Sequence, residues 1–180
     1  MHGVLFKGLK DFVVEFFDRE TWYEVREEAG VGLEVYLPVN TYPDQEMGAL
    51  VMATAEVTDR RVSHILEAFG WSVASNLLET YGDRLDPAWS AFDVVARAET
   101  DVHEVLRSHN ENLDPPNLVC HREGTSRVVV EYRSDRGLCP LAKGLIRGIG
   151  DHYDTDLTVR EPNCMYDGDE HCEFVVTDAD

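Results

Sequence analysis

The chain has 180 residues, 43% of them apolar, and a formal net charge of −19, with three lysines and thirteen arginines against 35 acidic residues. This length and apolar share fit one domain able to bury a sizeable core. So acidic a surface repels nucleic acid and anionic lipid, and neither is an expected partner. No long apolar run of membrane-spanning length occurs, so no transmembrane helix is expected. The start MHGVLFKGLKDFVVEFF lacks the basic region, apolar stretch and cleavage site of a signal peptide, so a cytoplasmic location is expected. There the four cysteines, Cys120, Cys139, Cys164 and Cys172, are not expected to form stable disulfides. Buried thiols, a metal site and redox chemistry are all open to them.

The first half reads as helical. Leu5, Leu9, Phe12 and Phe16 recur at spacings of three and four, and Val4, Val13 and Phe17 widen the stripe. Asp18 is placed to cap a second helix carrying Trp22, Tyr23 and Val25, which Gly30 stops. Pro43-Asp44 opens a third with Met47, Leu50, Val51 and Thr54 inward. Residues 60–69 and 70–81 read as two helices broken at Gly70-Trp71. Asp86-Pro87 starts another through Trp89, Phe92 and Val95, and Thr100 caps a short helix, DVHEVLRSHN.

After Pro115-Pro116 the character changes. NLVCHRE and SRVVVEYRS read as strands joined by a turn at Glu123-Gly124-Thr125. LCPLAKGLIRGIGDHY reads as a helix, and TDLTVRE and HCEFVVTD as two further strands joined by PNCMYDGDE. Helices followed by a β-β-α-β-β unit predict an α+β fold with an antiparallel sheet. The expectation is a single domain over 1–180, helical over about 1–112 and sheet-containing over about 113–180.

Alternation along SRVVVEYRS and the residues after it puts Val128, Val130, Tyr132, Ser134 and Arg136 on one face. That face begins apolar and ends with three donors, and burying such groups unpaired costs several kcal/mol. Arg136 could pair with one of the many acidic residues while Tyr132 and Ser134 bond backbone. Alternatively the three could hold an anionic ligand with more than one carboxylate, which arginine grips with two parallel hydrogen bonds. His103 lies among Val102, Val105 and Leu106. It reads either as an ordinary surface or core histidine or as an iron ligand, a neutral imidazole facing an apolar pocket. Haem has two propionates and an iron that needs an axial ligand, so one molecule would satisfy both clues.

The start MHGVLFKGLKDFV, the segment DVHEVL, Pro115-Pro116, the motif YRSDR and the following GLIRG together resemble the haem–nitric oxide/oxygen binding (H-NOX) family. These domains are bacterial relatives of the haem domain of soluble guanylate cyclase. The resemblance covers nearly the whole chain, and Tyr-x-Ser-x-Arg about thirty residues after the histidine is its most specific piece. It implies haem b between the two parts of the chain, with His103 as proximal ligand and Tyr132, Ser134 and Arg136 as propionate clamp. Pro116 and Leu5 match residues that press on the porphyrin. Counting from YRSDR, the position of the distal tyrosine of oxygen-binding members is Leu141, with Leu9, Val73 and Leu77 as apolar neighbours. Bound dioxygen carries partial negative charge and wants a donor, whereas nitric oxide binds ferrous haem without one. Nitric oxide, and with it carbon monoxide, is therefore the expected ligand.

The resemblance further implies that nitric oxide weakens the iron–histidine bond, frees the His103 helix and lets the two halves shift, a two-state element biased by ligand. No nucleophile or base is needed, so no enzyme is expected. The signal would pass to a separate partner, by resemblance a histidine kinase or a cyclic-di-GMP enzyme. A haem carrier without signalling is a rival reading.

Cys164 and Cys172 flank the loop between the last two strands, and Cys139 begins the helix after the clamp. Some bacterial members of the family look similar here, holding zinc with three cysteines and a histidine. In those members the histidine precedes the cysteine pair by three residues, where this chain has Glu161. Three thiolates and one N or O ligand suit tetrahedral zinc, with Glu161, His171 or a water as the fourth. The plain alternative is three buried thiols without metal. Without zinc they could form a disulfide, and the chain would be a haem-independent thiol sensor. Cys120, on a strand, reads as core. The loop CMYDGDEHCEF does not match an EF-hand despite Asp167, Asp169 and Glu170.

Overall fold

In the computed structural model of the chain, the described residues are 1–32, 35–109 and 113–179. Five α-helices lead: α1 (Gly3–Phe16), α2 (Arg19–Glu28), α3 (Asp44–Val57), α4 (Val62–Tyr81) and α5 (Ala91–Arg97). A π-helical segment, Ala98–His103, then runs into α6 (Glu104–His109). The second half is β1 (Asn117–Arg122), β2 (Arg127–Arg133), α7 (Cys139–His152), β3 (Leu157–Asn163) and β4 (Cys172–Asp178). The expected α+β class and the order of its β-β-α-β-β unit are present. The junction expected near 112–113 adjoins residues 110–112, which lie outside the described residues, as does Asn110 of the expected helix DVHEVLRSHN.

The sheet is antiparallel throughout, in the order β1-β2-β4-β3. Its register sets Val128 opposite Val176, Val130 opposite Phe174 and Tyr132 opposite Cys172, all buried. The period-2 face of β2 is therefore the inner face, and it shares one core with residues of α5 and α7. Gly124, at φ 71°, makes the turn between β1 and β2.

Two apolar cores result. Phe6, Leu9, Phe12, Trp22, Leu50 and Phe69 anchor the helical one. Phe92, Val95, Val128, Phe174 and Val176 anchor the one beneath the sheet. The helix α7 belongs to both, giving Leu141 to the first and Cys139 and Ile146 to the second.

Three local expectations are corrected. The break expected at Gly70-Trp71 is absent, and α4 runs unbroken for 20 residues. Gly70 is there for packing: a Cβ on it would stand 2.2 Å from the carbonyl oxygen of Leu141, and one on Gly144 would stand 2.0 Å from that of Glu67. The backbones of α4 and α7 touch at these points. The helix expected from Asp86-Pro87 begins at Ser90 instead, where the Ser90 and Asp93 side chains each bond the other's backbone N–H. Asp86 closes a turn by accepting from the Ala88 amide. Thr100 is not a cap either. It lies inside the π-helical segment and its hydroxyl bonds Asp101 and the carbonyl of Arg97, because α5 continues without a fresh start.

Candidate functional site

Between the two cores lies a cavity of about 280 Å³. Leu5 of α1, Leu77 and Leu78 of α4 and Leu85 form its helical wall; Val130 and Phe174 form the sheet side, and Leu141, Leu145 and Ile146 come from α7. His103, Pro116, Tyr132, Ser134 and Arg136 also line it. Of the predicted pocket residues, Leu5, Leu77, Pro116 and Leu141 are on the wall. Leu9 and Val73 are not among the lining residues. Both are fully buried in the helical core, where the Val73 side chain fills the space beside Gly8. The α1–α4 contact at this point is between Gly8 and Val73, inside the helical core.

His103 closes the π-helical segment, with its side chain 17% exposed. Its Nδ1 lies 3.3 Å from Oε2 of Glu99. Burial lowers its pKa, while the Glu99 carboxylate pulls the other way. Burial wins, so the imidazole is neutral at neutral pH, the form that ligates a metal.

The three donors, Tyr132 in β2 and Ser134 and Arg136 just after it, line the same cavity. Tyr132 is buried, and burial raises its phenol to about 12, so the proton stays on it. The Ser134 hydroxyl accepts the backbone N–H of Arg136 at 3.3 Å. Arg136 donates through Nε to Oδ2 of Asp44 at 2.5 Å and through Nη2 to Oδ2 of Asp114 at 3.2 Å. Its Nη1 reaches the carbonyl oxygen of Asp114. The guanidinium is thus a fork engaged by two carboxylates, one of the two outcomes that its position in the sequence allowed. Beyond it a second, more polar cavity of about 520 Å³ opens, sharing Asp114, Pro116, Ser134 and Arg136 with the first.

Sequence reasoning missed several residues here. His2 lines the cavity, and its buried Nδ1 has no hydrogen-bond partner among the described residues. Tyr81 brings a phenol to a wall expected to be apolar. Its place four residues beyond Leu77 on one helix would have marked it. Glu99, four before His103, is a helical neighbour of the same kind. The acids on Arg136 had no local signal.

The donor set fits haem. One neutral imidazole, a phenol, hydroxyl and guanidinium lining the same cavity, apolar walls and an orphaned ring nitrogen are what an iron porphyrin with two carboxylates requires.

The thiol cluster is separate. Ligating atoms of Cys139, Glu161, Cys164 and Cys172 all lie within 4.8 Å of one another. Cys164 Sγ is 3.9 Å from that of Cys139 and 3.7 Å from that of Cys172. One buried Glu161 oxygen, Oε1, has no hydrogen-bond partner among the described residues. His171 stands outside this group, its Nδ1 3.4 Å from Nη2 of Arg133. Burial raises the thiols of Cys139 and of Cys164, the latter to about 11. Cys120 is apart on β1, its thiol also pushed up to about 11, by burial first.

An α+β domain whose two halves enclose an apolar cavity with a partly buried imidazole is a ligand-holding module. Residues 2–161 match the Haem-NO-binding family, and the chain belongs to that family of haem-based gas-sensing domains. It is 23% identical over 193 aligned positions to soluble guanylate cyclase gcy-35 of Caenorhabditis elegans. That alignment covers 98% of this chain but only 27% of that relative. Among solved structures it is similar to an H-NOX protein from S. oneidensis in the Fe(II)NO ligation state, at TM-score 0.90 and 22% identity over the whole of both chains. It is likewise similar to the Fe(II) unliganded H-NOX protein from K. algicida, at TM-score 0.86 and 20% identity, over 100% of this chain and 97% of that one. These likenesses establish the H-NOX fold.

Proposed function

We propose that the chain is a haem-based sensor that binds nitric oxide at ferrous haem b and signals to a separate partner protein. The observation that carries this reading is that the partly buried, neutral His103 and the Tyr132-Ser134-Arg136 group line one apolar cavity. Family membership and the S. oneidensis relative in its Fe(II)NO state support it. Haem would supply the iron at which the gas binds.

The chain's own residues do the rest. His103 offers its imidazole to the iron from a helical segment. Tyr132, Ser134 and Arg136 take the propionates, Arg136 exchanging or sharing its bonds to Asp44 and Asp114. Leu5 and Pro116, both on the cavity wall, would pack against the ring. Leu77 and Leu141 present no donor to a bound gas, which favours nitric oxide and carbon monoxide over oxygen. The segment that carries His103 would be the part of the chain that responds, shifting the helical half against the sheet half. No helix among the described residues is long and apolar enough to cross a membrane. A histidine kinase or a cyclic-di-GMP enzyme in the cytoplasm is the proposed receiver of the signal. The net charge of −19 suits a partner with a basic patch rather than nucleic acid or a membrane surface.

A second site is proposed at Cys139, Cys164 and Cys172, holding zinc with Glu161 as fourth ligand. Tetrahedral zinc with bonds of about 2.3 Å sets its sulfurs about 3.8 Å apart. The two sulfur separations of 3.9 and 3.7 Å bracket that value.

The deciding experiment is the visible spectrum of the ferrous protein before and after nitric oxide, beside His103→Gly, with metal analysis. A Soret band that moves with nitric oxide, and is lost or altered in the variant, supports the reading. A protein that holds no haem but holds stoichiometric zinc overturns it and promotes the thiol sensor.

A further inference from the structure

Glu99 is an acidic side chain only 19% exposed, set in the π-helical segment four residues before His103. Such segments break the regular helical ladder and recur at functional sites. Its carboxylate has three partners on three pieces of backbone. Oε2 faces Nδ1 of His103 at 3.3 Å and accepts the backbone N–H of Leu118 at 3.0 Å. Oε1 accepts from Nη1 of Arg107 at 2.6 Å. Arg107 donates in turn through Nη2 to the carbonyl oxygen of Pro116 at 2.9 Å.

Each contact constrains the same small region. The edge strand β1 begins beside Pro116, and Glu99 takes the amide of Leu118 on that strand. A carboxylate at one ring nitrogen keeps the proton there and leaves the lone pair on the other, which fixes the tautomer and enriches the ring. Arg107 draws on the same carboxylate and so limits how strongly it pulls on the imidazole N–H.

We infer that Glu99 is the positioning residue for His103. It holds Nδ1 as the donor, leaves Nε2 to the cavity, and with Arg107 ties the His103 segment to Pro116 and β1. This deepens the proposed function and rests on His103 being the haem ligand. Among the described residues, no other carboxylate pairs with the His103 ring. Movement of His103 would therefore be felt first at Pro116 and Leu118.

The test is the iron–histidine stretching band in the resonance Raman spectrum of the ferrous, gas-free holoprotein, with variants Glu99→Gln and Arg107→Gln. Gln is a weaker acceptor, so Glu99→Gln lowers the frequency and weakens haem retention by about 10-fold or more. Arg107→Gln removes the cationic competitor, leaves the carboxylate to His103 and the Leu118 amide, and raises the frequency. Shifts of opposite sign confirm the inference, because general loosening of the fold would move both the same way. Two shifts of one sign, or none, overturn it. If Glu99→Gln yields no holoprotein, Arg107→Gln decides alone: a raised band supports the inference and an unmoved or lowered band overturns it. A wild-type protein without the band overturns the assignment of His103 and this inference with it. A normal band that neither variant moves overturns this inference only.

Discussion

The backbone of Gly70 on α4 lies against the carbonyl of Leu141 on α7, so closely that a Cβ on the glycine would stand 2.2 Å from that oxygen. Leu141 is on the cavity wall and in the helical core at once. The position of α7, and with it the shape of the cavity, therefore depends on a hydrogen atom at residue 70. Gly70→Ala must push two helices apart and is expected to destabilise by about 1–3 kcal/mol. Gly48 on α3 is the control, since a Cβ there meets nothing within 4 Å. Gly48→Ala should stabilise by about 0.5–1 kcal/mol, as a helix-interior glycine replaced without a clash. Thermal unfolding of the two variants checks both signs.

Arg136, on the cavity wall, holds Asp44 and Asp114. If the same fork takes the propionates, Arg136→Leu removes charge-assisted hydrogen bonds worth about 1.5–3 kcal/mol, or roughly 10–100-fold in haem affinity. Asp44→Asn removes a competitor for the guanidinium and should leave haem affinity equal or higher. Haem transfer to apomyoglobin measures both. Equal retention by Arg136→Leu and wild type would remove Arg136 from the clamp.

Leu141→Tyr places a phenol at the position expected to face a bound gas. Oxygen binding to the ferrous protein should become measurable, at a packing cost of about 1–3 kcal/mol. Tyr81→Phe is the companion, because Tyr81 also reaches the cavity. It should leave nitric oxide binding unchanged. Oxygen titration under strict control of oxidation decides. An oxygen complex already present in wild type and lost in Tyr81→Phe would show that Tyr81 is the operative donor.

Burial pushes the Cys120 thiol from 9.0 up to about 11. The folded state favours the protonated thiol more than the unfolded state does. Its contribution to stability is therefore full below pH 9 and is lost as pH rises through about 11. The melting temperature of the protein should fall between those values, and the fall should be smaller in Cys120→Ala. Equal slopes in the two proteins would show that the thiol does not titrate as buried.

Local rules carry unequal distances along this chain. Alternation in Arg127–Arg133 determined which face of β2 is buried, because strand side chains alternate whatever the strand packs on. Asp18 determined the start of α2 for a similar reason, since its carboxylate needs only the Thr21 amide three residues on. The motif residues His103, Tyr132, Ser134 and Arg136 were legible as residue types at set spacings. Glu99 was legible too, as the helical neighbour of His103, although it was not read.

Only the tertiary structure decided that Arg136 meets Asp44, 92 positions away, among so many acidic residues. It decided that Leu9 and Val73 face the helical core while Leu5 and Leu77 face the cavity, a choice between adjacent angles on the same apolar stripe. It also decided that Gly70 joins two helices rather than breaking one. Hydrophobic periodicity records that a side is buried, but not against what. Which surfaces meet is settled by packing between distant elements, and no local spacing encodes it.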